Sequence, residues 1–483
     1  MASESTPVEG GDLTRRSVLK TSAALGLLAV PAIGLLSACA SGGDDSGDDI
    51  ETTGDAKNPF GVDPKKPLEV VIFPGGFGKD YAEKQKVVYN EGFPEAVVTI
   101  NAIEDLRAEL APRFQGKTPP DILQNEGANK IPHGELVANN QYHDLQPLLD
   151  APTLDDPNVK IKDVLYPGVV ESGSFKTADG TSKFFVLKYT YSMWGLWYSQ
   201  QLFDEKKWTV PTTWAELMTL CAQIKQDGVA PFTYTGVHTY YIRDMFITLA
   251  CRHGGADVVK NIDNLEPDAW SHPSVLAAAE ALYSLKKQGF ILEGSEGLDH
   301  RQSQARWVKQ DAAFIPVGGW LENEEKDILK KEFEMRLMAV PPLDGSVNPQ
   351  AINAGAGEGY AVPADGKNPQ GGLEWLRVML SVKGREAFGA DAGTPTVVKG
   401  AKEGLPLEEK PGLKSMVGLL ESNGNFAFQA MIGDWYPQFG DGIWGPALGE
   451  LMSNAKTAAE FVEACQKGAD AIASDDSIEK QKR

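Results

Sequence analysis

An amide and a carboxylate follow a short apolar run in the first third of the chain. The run is Asp121-Ile122-Leu123, and Asn125 and Glu126 stand just beyond it. In open α/β sheets, ligands bind at the carboxyl ends of the strands. An amide and a carboxylate at such a position exchange hydrogen bonds with a polar ligand. Asn125 and Glu126 are therefore candidate ligand-binding residues by position.

Glu358 lies among glycines, in the string Gly355-Ala356-Gly357-Glu358-Gly359. Because glycine has no Cβ, such a string permits a close approach between the backbone and a ligand. Glu358 is therefore a further candidate, and the alternative is an ordinary solvated carboxylate.

The sequence lacks the strings that mark common catalytic and cofactor sites. It has no G-x-S-x-G, H-E-x-x-H or P-loop string, and Gly355-x-Gly357-x-Gly359 lacks the dinucleotide-binding spacing. No pair of cysteines has metal-ligand spacing, and the six histidines are scattered. We predict a protein that is not an enzyme and holds no cofactor or metal. A glycosidase needs only two suitably spaced carboxylates, so 67 acidic residues leave a secreted glycosidase or polysaccharide lyase as the alternative.

The charge of the chain excludes one class of partner. With 46 basic and 67 acidic residues, its net charge is -21. Such a balance repels nucleic-acid phosphates and anionic lipid headgroups. A DNA- or RNA-binding role is therefore not expected. With 42% apolar residues and 10 tryptophans, the 483 residues are enough for a large core and about two to three domains.

The N-terminal residues resemble a bacterial lipoprotein export signal of the twin-arginine type. Arg15-Arg16 precedes an uncharged run from Thr21 to Leu36, and small residues then lead to Cys39. The resemblance implies that residues 1–38 are removed and that the Cys39 thiol carries a lipid, whether export runs by the Tat or the Sec route. The alternative is a short transmembrane anchor, although the run is shorter than the roughly 20 residues that span a bilayer.

The segment after Cys39 is predicted to be a tether. Residues 40–57 are rich in Gly, Ser and Asp, which disfavours a packed core. We expect residues 39–67 to be a lipidated cysteine with a flexible acidic tether, and folding to begin near Pro67.

Three cysteines, Cys221, Cys251 and Cys465, remain beyond the lipidation site. Because their number is odd, at least one is unpaired or pairs between chains. Cys221 and Cys465 fall on apolar helical faces, which favours buried thiols, and a Cys221–Cys251 disulfide is the alternative.

Hydrophobic periodicity predicts an α/β protein. Strand, helix and strand at 68–73, 80–90 and 96–100 are the opening of a parallel sheet. An extended crossover is predicted at 189–199, and a strand at 312–315 ends near Trp320. Thr213 and Glu216 form a capping box at the start of the clearest helix. Further helices are predicted at 241–253, 274–288, 302–309, 371–388 and 457–473.

The order of these features resembles the carbohydrate-binding, maltose-binding-like (cluster B) extracellular solute-binding proteins of bacterial ABC importers. The resemblance covers residues 68–475. Within this family the chain looks most like the N-acetylglucosamine/diacetylchitobiose-binding lipoproteins. Its markers are the lipidation string at Cys39, Phe73-Pro74-Gly75-Gly76, Pro120-Asp121-Ile122-Leu123, Asp144-Leu145 with Pro147-Leu148-Leu149, Leu196-Trp197-Tyr198, Pro211-Thr212-Thr213-Trp214, Ala313-Phe314 with Gly319-Trp320, and Asp434-Trp435-Tyr436.

The family fold is a type II periplasmic-binding-protein-like fold: two α/β lobes joined by three crossovers, with the sugar in the cleft between them. The resemblance places residues 68–187 and 312–354 in lobe 1, and residues 190–310 and 361–475 in lobe 2. The crossovers are expected near Lys188, Gln310 and Gly357.

The resemblance also assigns ligand-binding residues. A sugar site needs aromatic platforms for the C–H faces and polar side chains for the hydroxyls. The full set of candidates is Asn125, Glu126, Tyr191, Tyr240, Trp270, Trp320, Glu358, Asp434 and Trp435, with Phe77 and Ser192 as weaker ones. Trp320 and Trp435 are expected as platforms, with a core tryptophan as the alternative for Trp320. Tyr240 is preferred over Tyr241, and simple hinge packing is the alternative for Tyr191.

The function implied is capture of a carbohydrate, N-acetylglucosamine or a chitobiose-type oligosaccharide, for an ABC sugar importer. The partners implied are a permease with its cytoplasmic ATPase, and the membrane through the lipid anchor. We expect an exported monomer on the outer face of the cell membrane. A surface adhesion lipoprotein is a third class, and it predicts no saturable binding of a small ligand.

Overall fold

The computed structural model describes residues 54–483, apart from residues 128, 167, 178 and 331. The predicted export signal and Cys39 lie outside the described residues. Across the described part of the chain, no helix combines the length and the apolar character that a membrane crossing requires.

The described residues form eleven strands. They are β1 (Leu68–Ile72), β2 (Val98–Ala102), β3 (Ile122–Gln124), β4 (Ser174–Lys176), β5 (Ser182–Phe184), β6 (Leu187–Ser199), β7 (Ala230–Phe232), β8 (Ala312–Gly318), β9 (Met335–Met338), β10 (Ile352–Ala361) and β11 (Ala427–Phe428).

Twenty α-helices accompany these strands in the described residues. They are α1 (Asp80–Gly92), α2 (Leu106–Gln115), α3 (His133–Ala138), α4 (Gln146–Asp150), α5 (Ile161–Val164), α6 (Val169–Ser172), α7 (Gln200–Lys206), α8 (Trp214–Gln226), α9 (Tyr240–Gly254), α10 (Ala256–Asp263), α11 (Pro273–Lys287), α12 (His300–Val308), α13 (Leu321–Glu324), α14 (Pro369–Leu380), α15 (Val382–Ala392), α16 (Pro411–Asn423), α17 (Ile432–Trp435), α18 (Pro437–Phe439), α19 (Gly445–Met452) and α20 (Ala458–Ser474). A π-helical turn, Gly440–Trp444, joins α18 to α19.

One mixed sheet connects the two lobes. Its strand order is β2-β1-β3-β10-β6-β8-β7, with β11 beside β10 and β9 beside β6. β1 is parallel to both β2 and β3, so the predicted parallel opening is confirmed. We refer to β1–β3 and the helices packed on them as the first lobe, and to β7, β8 and their helices as the second. The long antiparallel pair β6 and β10 lies between the lobes and pairs with strands of both.

Local sequence signals fix the best-predicted helix. The Thr213 side chain accepts a hydrogen bond from the Glu216 N–H at 3.2 Å, and the Glu216 carboxylate accepts one from the Thr213 N–H at 3.2 Å. This is the predicted capping box of α8. Leu217 and Ile224 on its inner face are fully buried. The predicted helix at 371–388 is instead two helices, because Ser381 ends α14 and its side chain caps α15 through the Gly384 N–H.

Two segments of the chain lie in a different lobe from the one predicted for them. Residues 312–318 were expected in lobe 1, but β8 is parallel to β7 and antiparallel to β6 in the second lobe. Phe314 packs there against Phe203 and Phe232, with ring centroids 5.5 and 5.3 Å apart. Gln310 therefore lies in a turn within the second lobe, between α12 and β8, rather than at a crossover.

Helices α14 and α15 were expected in lobe 2, but they pack against α1 of the first lobe. The Trp375 ring lies 6.0 Å from Tyr89, and the Phe388 ring lies 5.0 Å from Tyr81. The Gln85 side-chain amide also donates to the Gly384 carbonyl at 3.1 Å. Residues 369–392 thus complete the core of the lobe that β1 begins.

The end of the predicted tether is packed on the body. Phe60 is fully buried, although residues 39–67 were expected to be flexible. The Arg377 guanidinium, itself buried, donates to the carbonyls of Ala56 and Lys57 at 3.1 and 3.5 Å. Ordered packing therefore begins about ten residues before Pro67.

The three described cysteines, Cys221, Cys251 and Cys465, are buried and unpaired. The prediction of buried thiols is confirmed for Cys221 and Cys465, and the alternative disulfide is absent between these residues. Burial raises the pKa of Cys221 and of Cys251 to about 12, so both thiols stay protonated at neutral pH.

Candidate ligand-binding site

A cavity of about 270 Å³ lies where β6, β8 and β10 meet α9 and the residues around α17. Its walls combine aromatic rings with amides, hydroxyls and charged groups. The lining residues are Phe77, Thr190, Ser192, Trp194, Tyr240, Arg243, Asp244, Ile247, Trp320, Asn353, Gly355, Ala356, Gly357, Glu358, Gln429, Ala430, Gly433, Asp434 and Trp444. Four of the nine main candidates from the sequence line it: Tyr240, Trp320, Glu358 and Asp434. Both weaker candidates, Phe77 and Ser192, line it as well.

Aromatic rings form one wall of the cavity. The Trp320 ring stands perpendicular to Trp194, with centroids 4.6 Å apart, and Trp194 meets Tyr240 edge-on at 5.9 Å. The Ser192 hydroxyl accepts a hydrogen bond from the Gly319 N–H at 3.2 Å and so holds the backbone next to Trp320. These half-buried rings offer apolar faces to a ligand.

Strand alternation decides which residues of β6 reach the cavity. Thr190, Ser192 and Trp194 line it, whereas Tyr191 is buried on the opposite face. The Tyr191 ring stacks on Tyr166 at 4.6 Å, and its N–H donates to the Pro395 carbonyl. Because successive side chains of a strand point to opposite faces, Ser192 and Tyr191 cannot both face the cavity. The structure therefore places Tyr191 outside the lining of this cavity.

Glu358 enters the cavity from β10 with an unusual backbone. Its φ angle is +59°, a region that few residues other than glycine adopt. One carboxylate oxygen accepts a hydrogen bond from the Gln124 side chain at 2.6 Å. Burial, reinforced by the negative charge of Glu126, raises the pKa of Glu358 to about 8. At neutral pH the Glu358 side chain is therefore largely a neutral acid that can donate as well as accept.

Glu126 and Asn125 lie behind the cavity rather than on it. The Glu126 carboxylate accepts from the Gly359 N–H at 2.8 Å and pairs with the Lys130 ammonium at 3.0 Å. Desolvation raises the pKa of Glu126, but Lys130, His133 and the Gly359 N–H outweigh it and hold the pKa well below its usual range. Glu126 thus supports the backbone next to Glu358.

The Asn125 side chain is fully occupied by the protein itself. It is completely buried, and its amide both donates to the Ile131 carbonyl and accepts from the Ile131 N–H. It also donates to the Tyr142 hydroxyl at 3.2 Å. Asn125 therefore lies outside the cavity lining, and its side chain closes a loop of the first lobe.

Asp434 places a charge at the cavity from the second lobe. Its carboxylate is 3.5 Å from the Lys188 ammonium on β6, and its side chain is 60% exposed. Although desolvation raises the pKa of Asp434, the positive charges of Lys188, Lys130 and Arg243 outweigh it and lower the pKa. Asp434 is therefore ionised at neutral pH and remains available as an acceptor.

Two predicted tryptophans lie away from the cavity lining. Trp270 is fully buried among aromatic rings of the second lobe, 5.2 Å from Trp444 and 5.3 Å from Phe439. Trp435, the predicted second platform, is partly exposed and packs against the second-lobe core. The tryptophan that lines the cavity on this side is Trp444.

Helix α9 supplies residues that the sequence analysis missed. Tyr240, Arg243, Asp244 and Ile247 line the cavity at the i, i+3, i+4, i+7 spacing of one helical face. Tyr240 was already a candidate, and the same helical spacing counted from Tyr240 would have identified the other three residues. The Asp244 carboxylate accepts from the Asn353 side chain at 2.7 Å, and burial raises the pKa of Asp244 to about 7.

The side chain of Gln429 lies against β10, where its amide donates to the Ala356 carbonyl at 3.4 Å. A Cβ at Gly355 would stand 2.3 Å from the Gln429 amide oxygen, so any larger residue there would displace the Gln429 side chain. Together with Asn353 and Arg243, Gln429 gives the cavity both amide and charged donors. Aromatic faces next to such donors and acceptors are what a polyhydroxylated ring requires.

Comparison with known proteins identifies the family of the chain. Residues 75–386 match the family described as bacterial extracellular solute-binding protein. The diacetylchitobiose binding protein NgcE of Streptomyces coelicolor is 34% identical, over 98% of this chain and 99% of that protein. A multiple sugar-binding protein of Streptococcus mutans is 22% identical over 46% of this chain and 53% of that protein.

Solved structures share the two-lobed fold. A chitin oligosaccharide binding protein superposes with a TM-score of 0.62 at 20% identity, covering 84% of this chain and 98% of that one. The apo form of RafE from Streptococcus pneumoniae superposes with a TM-score of 0.67 at 16% identity, covering 85% and 99%.

Proposed function

Because the chain belongs to the bacterial extracellular solute-binding protein family, we propose that it captures a chitobiose-type oligosaccharide of N-acetylglucosamine for an ABC sugar importer. The observation that carries this proposal is the cavity itself, whose lining combines the aromatic rings of Trp194, Tyr240 and Trp320 with the polar side chains of Asn353 and Gln429. The similarity over full length to a diacetylchitobiose binding protein supports the choice of sugar.

Each part of such a sugar has a matching group in the cavity. The C–H faces of the rings stack on Trp320 and Trp194, and the hydroxyls bond to Asn353, Gln429 and Asp434. An acetamido group has an N–H donor, a carbonyl acceptor and a methyl group. Acids, amides and apolar side chains all occur in this lining, so one site can satisfy all three parts.

The proposed lobe boundaries follow the contacts. We assign residues 55–186 and 362–405 to the first lobe, and residues 200–351 and 411–483 to the second. β6, β10 and the connection at 406–410 then join the lobes. Closing of the lobes on the sugar would exclude water and give the permease a distinct shape to bind.

Titration calorimetry tests the ligand directly. We expect saturable binding of N-acetylglucosamine and its β-1,4-linked dimer and trimer, and much weaker binding of maltose and raffinose. Absence of binding to every chitin oligomer, with binding to another glycan, would change the sugar. Absence of binding to any small glycan would favour an adhesion lipoprotein.

An enzyme remains the rival function. Asp244 and Glu358 have raised pKa values while that of Asp434 is lowered, and this is the kind of difference that acid–base chemistry uses. We propose binding without chemical change, so prolonged incubation with chitin oligomers should leave their length distribution unaltered. Shortened products or new reducing ends would establish a glycosidase or lyase instead.

We further propose that the protein is an exported monomer held at the membrane by a lipid on Cys39. Replacing Cys39 with Ser should release it into the medium without altering sugar affinity, because the site lies in the body. Cell fractionation measures this, and continued membrane retention of the C39S protein would favour a transmembrane anchor.

A further inference from the structure

A buried carboxylate anchors the segment that carries Asp434. Asp263, the last residue of α10, is fully buried in the second lobe. One of its oxygens accepts hydrogen bonds from the N–H groups of Met431 and Ile432, both at 2.8 Å. These N–H groups open α17, where no earlier helical turn can bond to them. We call residues 431–436 the cleft segment, because Gly433 and Asp434 line the cavity.

Burial raises the pKa of Asp263 to about 7, and a positive charge from a distant part of the sequence opposes this shift. The second carboxylate oxygen of Asp263 lies 2.6 Å from the Arg483 guanidinium. A buried carboxylate that loses its only ionic partner is strongly destabilised. Asn264 strengthens this attachment, since its side chain accepts from the Arg483 N–H at 2.8 Å and donates to the Arg483 carbonyl at 3.0 Å.

The residues before Arg483 hold the other end of the cleft segment. We call residues 478–483 the strap. The Gln481 N–H donates to the Tyr436 hydroxyl at 2.8 Å, and Tyr436 is the last residue of the cleft segment. The strap also meets the first lobe, because the Lys176 ammonium on β4 donates to the Lys480 carbonyl at 3.0 Å. The cleft segment is thus fixed at residues 431–432 through Asp263 and at residue 436 through the strap.

We infer that Arg483 and Asp263 are positioning residues for the ligand site: their ion pair holds the cleft segment so that Asp434 meets the sugar. This inference deepens the proposed function and rests on it, because it takes the cavity as the place where the sugar binds. Neither residue lines the cavity, so their effect on a ligand must pass through the backbone of residues 431–436.

The test compares Arg483→Met with Lys482→Met. Both variants remove one positive charge from the strap, but the Lys482 ammonium pairs with Glu266 and donates to the Asn264 carbonyl at 2.7 Å, and it does not pair with Asp263. Arg483→Met should weaken the binding of the chitin dimer about tenfold, because Asp434 would no longer be held in position to contact the sugar. Lys482→Met should stay within about twofold of the unaltered protein.

Hydrogen–deuterium exchange of a peptide spanning residues 429–440 gives a second readout that needs no ligand. Exchange at the Met431 and Ile432 amides should be faster in Arg483→Met and unaltered in Lys482→Met. If the unaltered protein bound no sugar, the proposed function would fail, while the exchange measurement would still judge the positioning of the cleft segment. Unchanged affinity together with unchanged exchange in Arg483→Met would overturn the inference.

A second variant distinguishes a loss of positioning from a general loss of stability. If Arg483→Met melts far below the unaltered protein, the double variant Asp263→Asn/Arg483→Met removes the unpaired buried charge. Its melting temperature should recover, while its sugar affinity should stay reduced because a neutral amide is a weaker acceptor for two N–H groups. Full recovery of affinity in the double variant would also overturn the inference.

Discussion

At the level of a single residue, the surroundings of Trp320 and Trp270 distinguish a candidate ligand platform from a core tryptophan. The Trp320 ring borders the cavity and touches Trp194 edge-on, whereas Trp270 is enclosed by aromatic rings. Replacing Trp320 with Ala should weaken sugar binding by about 1–3 kcal/mol, the usual contribution of a stacked aromatic face. Calorimetry measures the affinity, and the melting temperature of the ligand-free protein should barely move.

Trp270→Ala is the matched control for that experiment. It should lower the free energy of unfolding by about 3–5 kcal/mol, because it leaves a cavity in a packed core. A large loss of stability in Trp320→Ala with unaltered affinity would assign Trp320 to the core instead.

Glu358 makes the stability of the protein depend on pH. Burial and Glu126 raise its folded-state pKa from the ordinary 4.5 to about 8, so the folded protein holds the proton more tightly than the unfolded chain. Between these values the unfolded chain releases its proton first, and the free energy of unfolding therefore falls as the pH rises. Replacing Glu358 with Gln removes this contribution.

The Glu358→Gln variant should gain stability relative to the unaltered protein as the pH rises from about 5 to about 8. Urea unfolding at several pH values measures the difference. Glu463→Gln on the exposed face of α20 is the control and should show no such trend. A constant difference across the range would mean that Glu358 is not protonated in the folded protein.

At the level of elements, successive residues of β6 face the cavity and the opposite side of the sheet in turn. Ser192 faces the cavity and accepts from the Gly319 N–H, while Tyr191 faces the opposite side and stacks on Tyr166. Ser192→Ala should weaken sugar binding by about 0.5–1.5 kcal/mol, because Gly319 loses its partner beside Trp320. Tyr191→Phe retains the stacked ring and should leave the affinity unaltered. Equal effects in the two variants, measured by calorimetry, would contradict this division of the strand.

Local patterns predicted many individual elements, because short-range chemistry encodes them. The capping box of α8 and the buried run of β1 are complete within a few neighbouring residues. The same reasoning applied to α9 would have found Arg243 and Asp244. The strand period alone predicts that Tyr191 and Ser192 face opposite sides of the sheet. Which side carries the cavity depends on the register of β6 against β10, which the local sequence does not give.

Long-range pairing could not be predicted in the same way. Whether β8 pairs in the first or the second lobe depends on β7, some 80 residues earlier in the chain. Trp270 and Trp320 are both tryptophans near the ends of elements, and only the packing of Phe439 and Trp444 around Trp270 distinguishes them. Charge compensation of the Asp263 kind depends on a partner more than 200 residues away. Such contacts belong to the folded molecule and not to any local pattern.

At the level of the whole molecule, a ligand that contacts both lobes favours the form in which both lobes reach it. Trp320 and Asp434 reach the cavity from the second lobe, Phe77 reaches it from the first, and Glu358 lies on the strand between them. A sugar that bonds to all of these groups is bound more tightly when the lobes are closed, so it shifts the population toward the closed form. Small-angle scattering should therefore record a smaller radius of gyration with the chitin dimer than without it.

The same coupling predicts a gain in stability that follows the ligand concentration. At a free concentration of 100 times Kd, binding to the folded state alone adds about 2.7 kcal/mol to the free energy of unfolding. The melting temperature should rise with the concentration of the chitin dimer, and maltose at equal concentration serves as the control. Stabilisation without compaction would mean that the lobes are already closed before the sugar binds, in which case Trp320→Ala should alter affinity but not the radius of gyration.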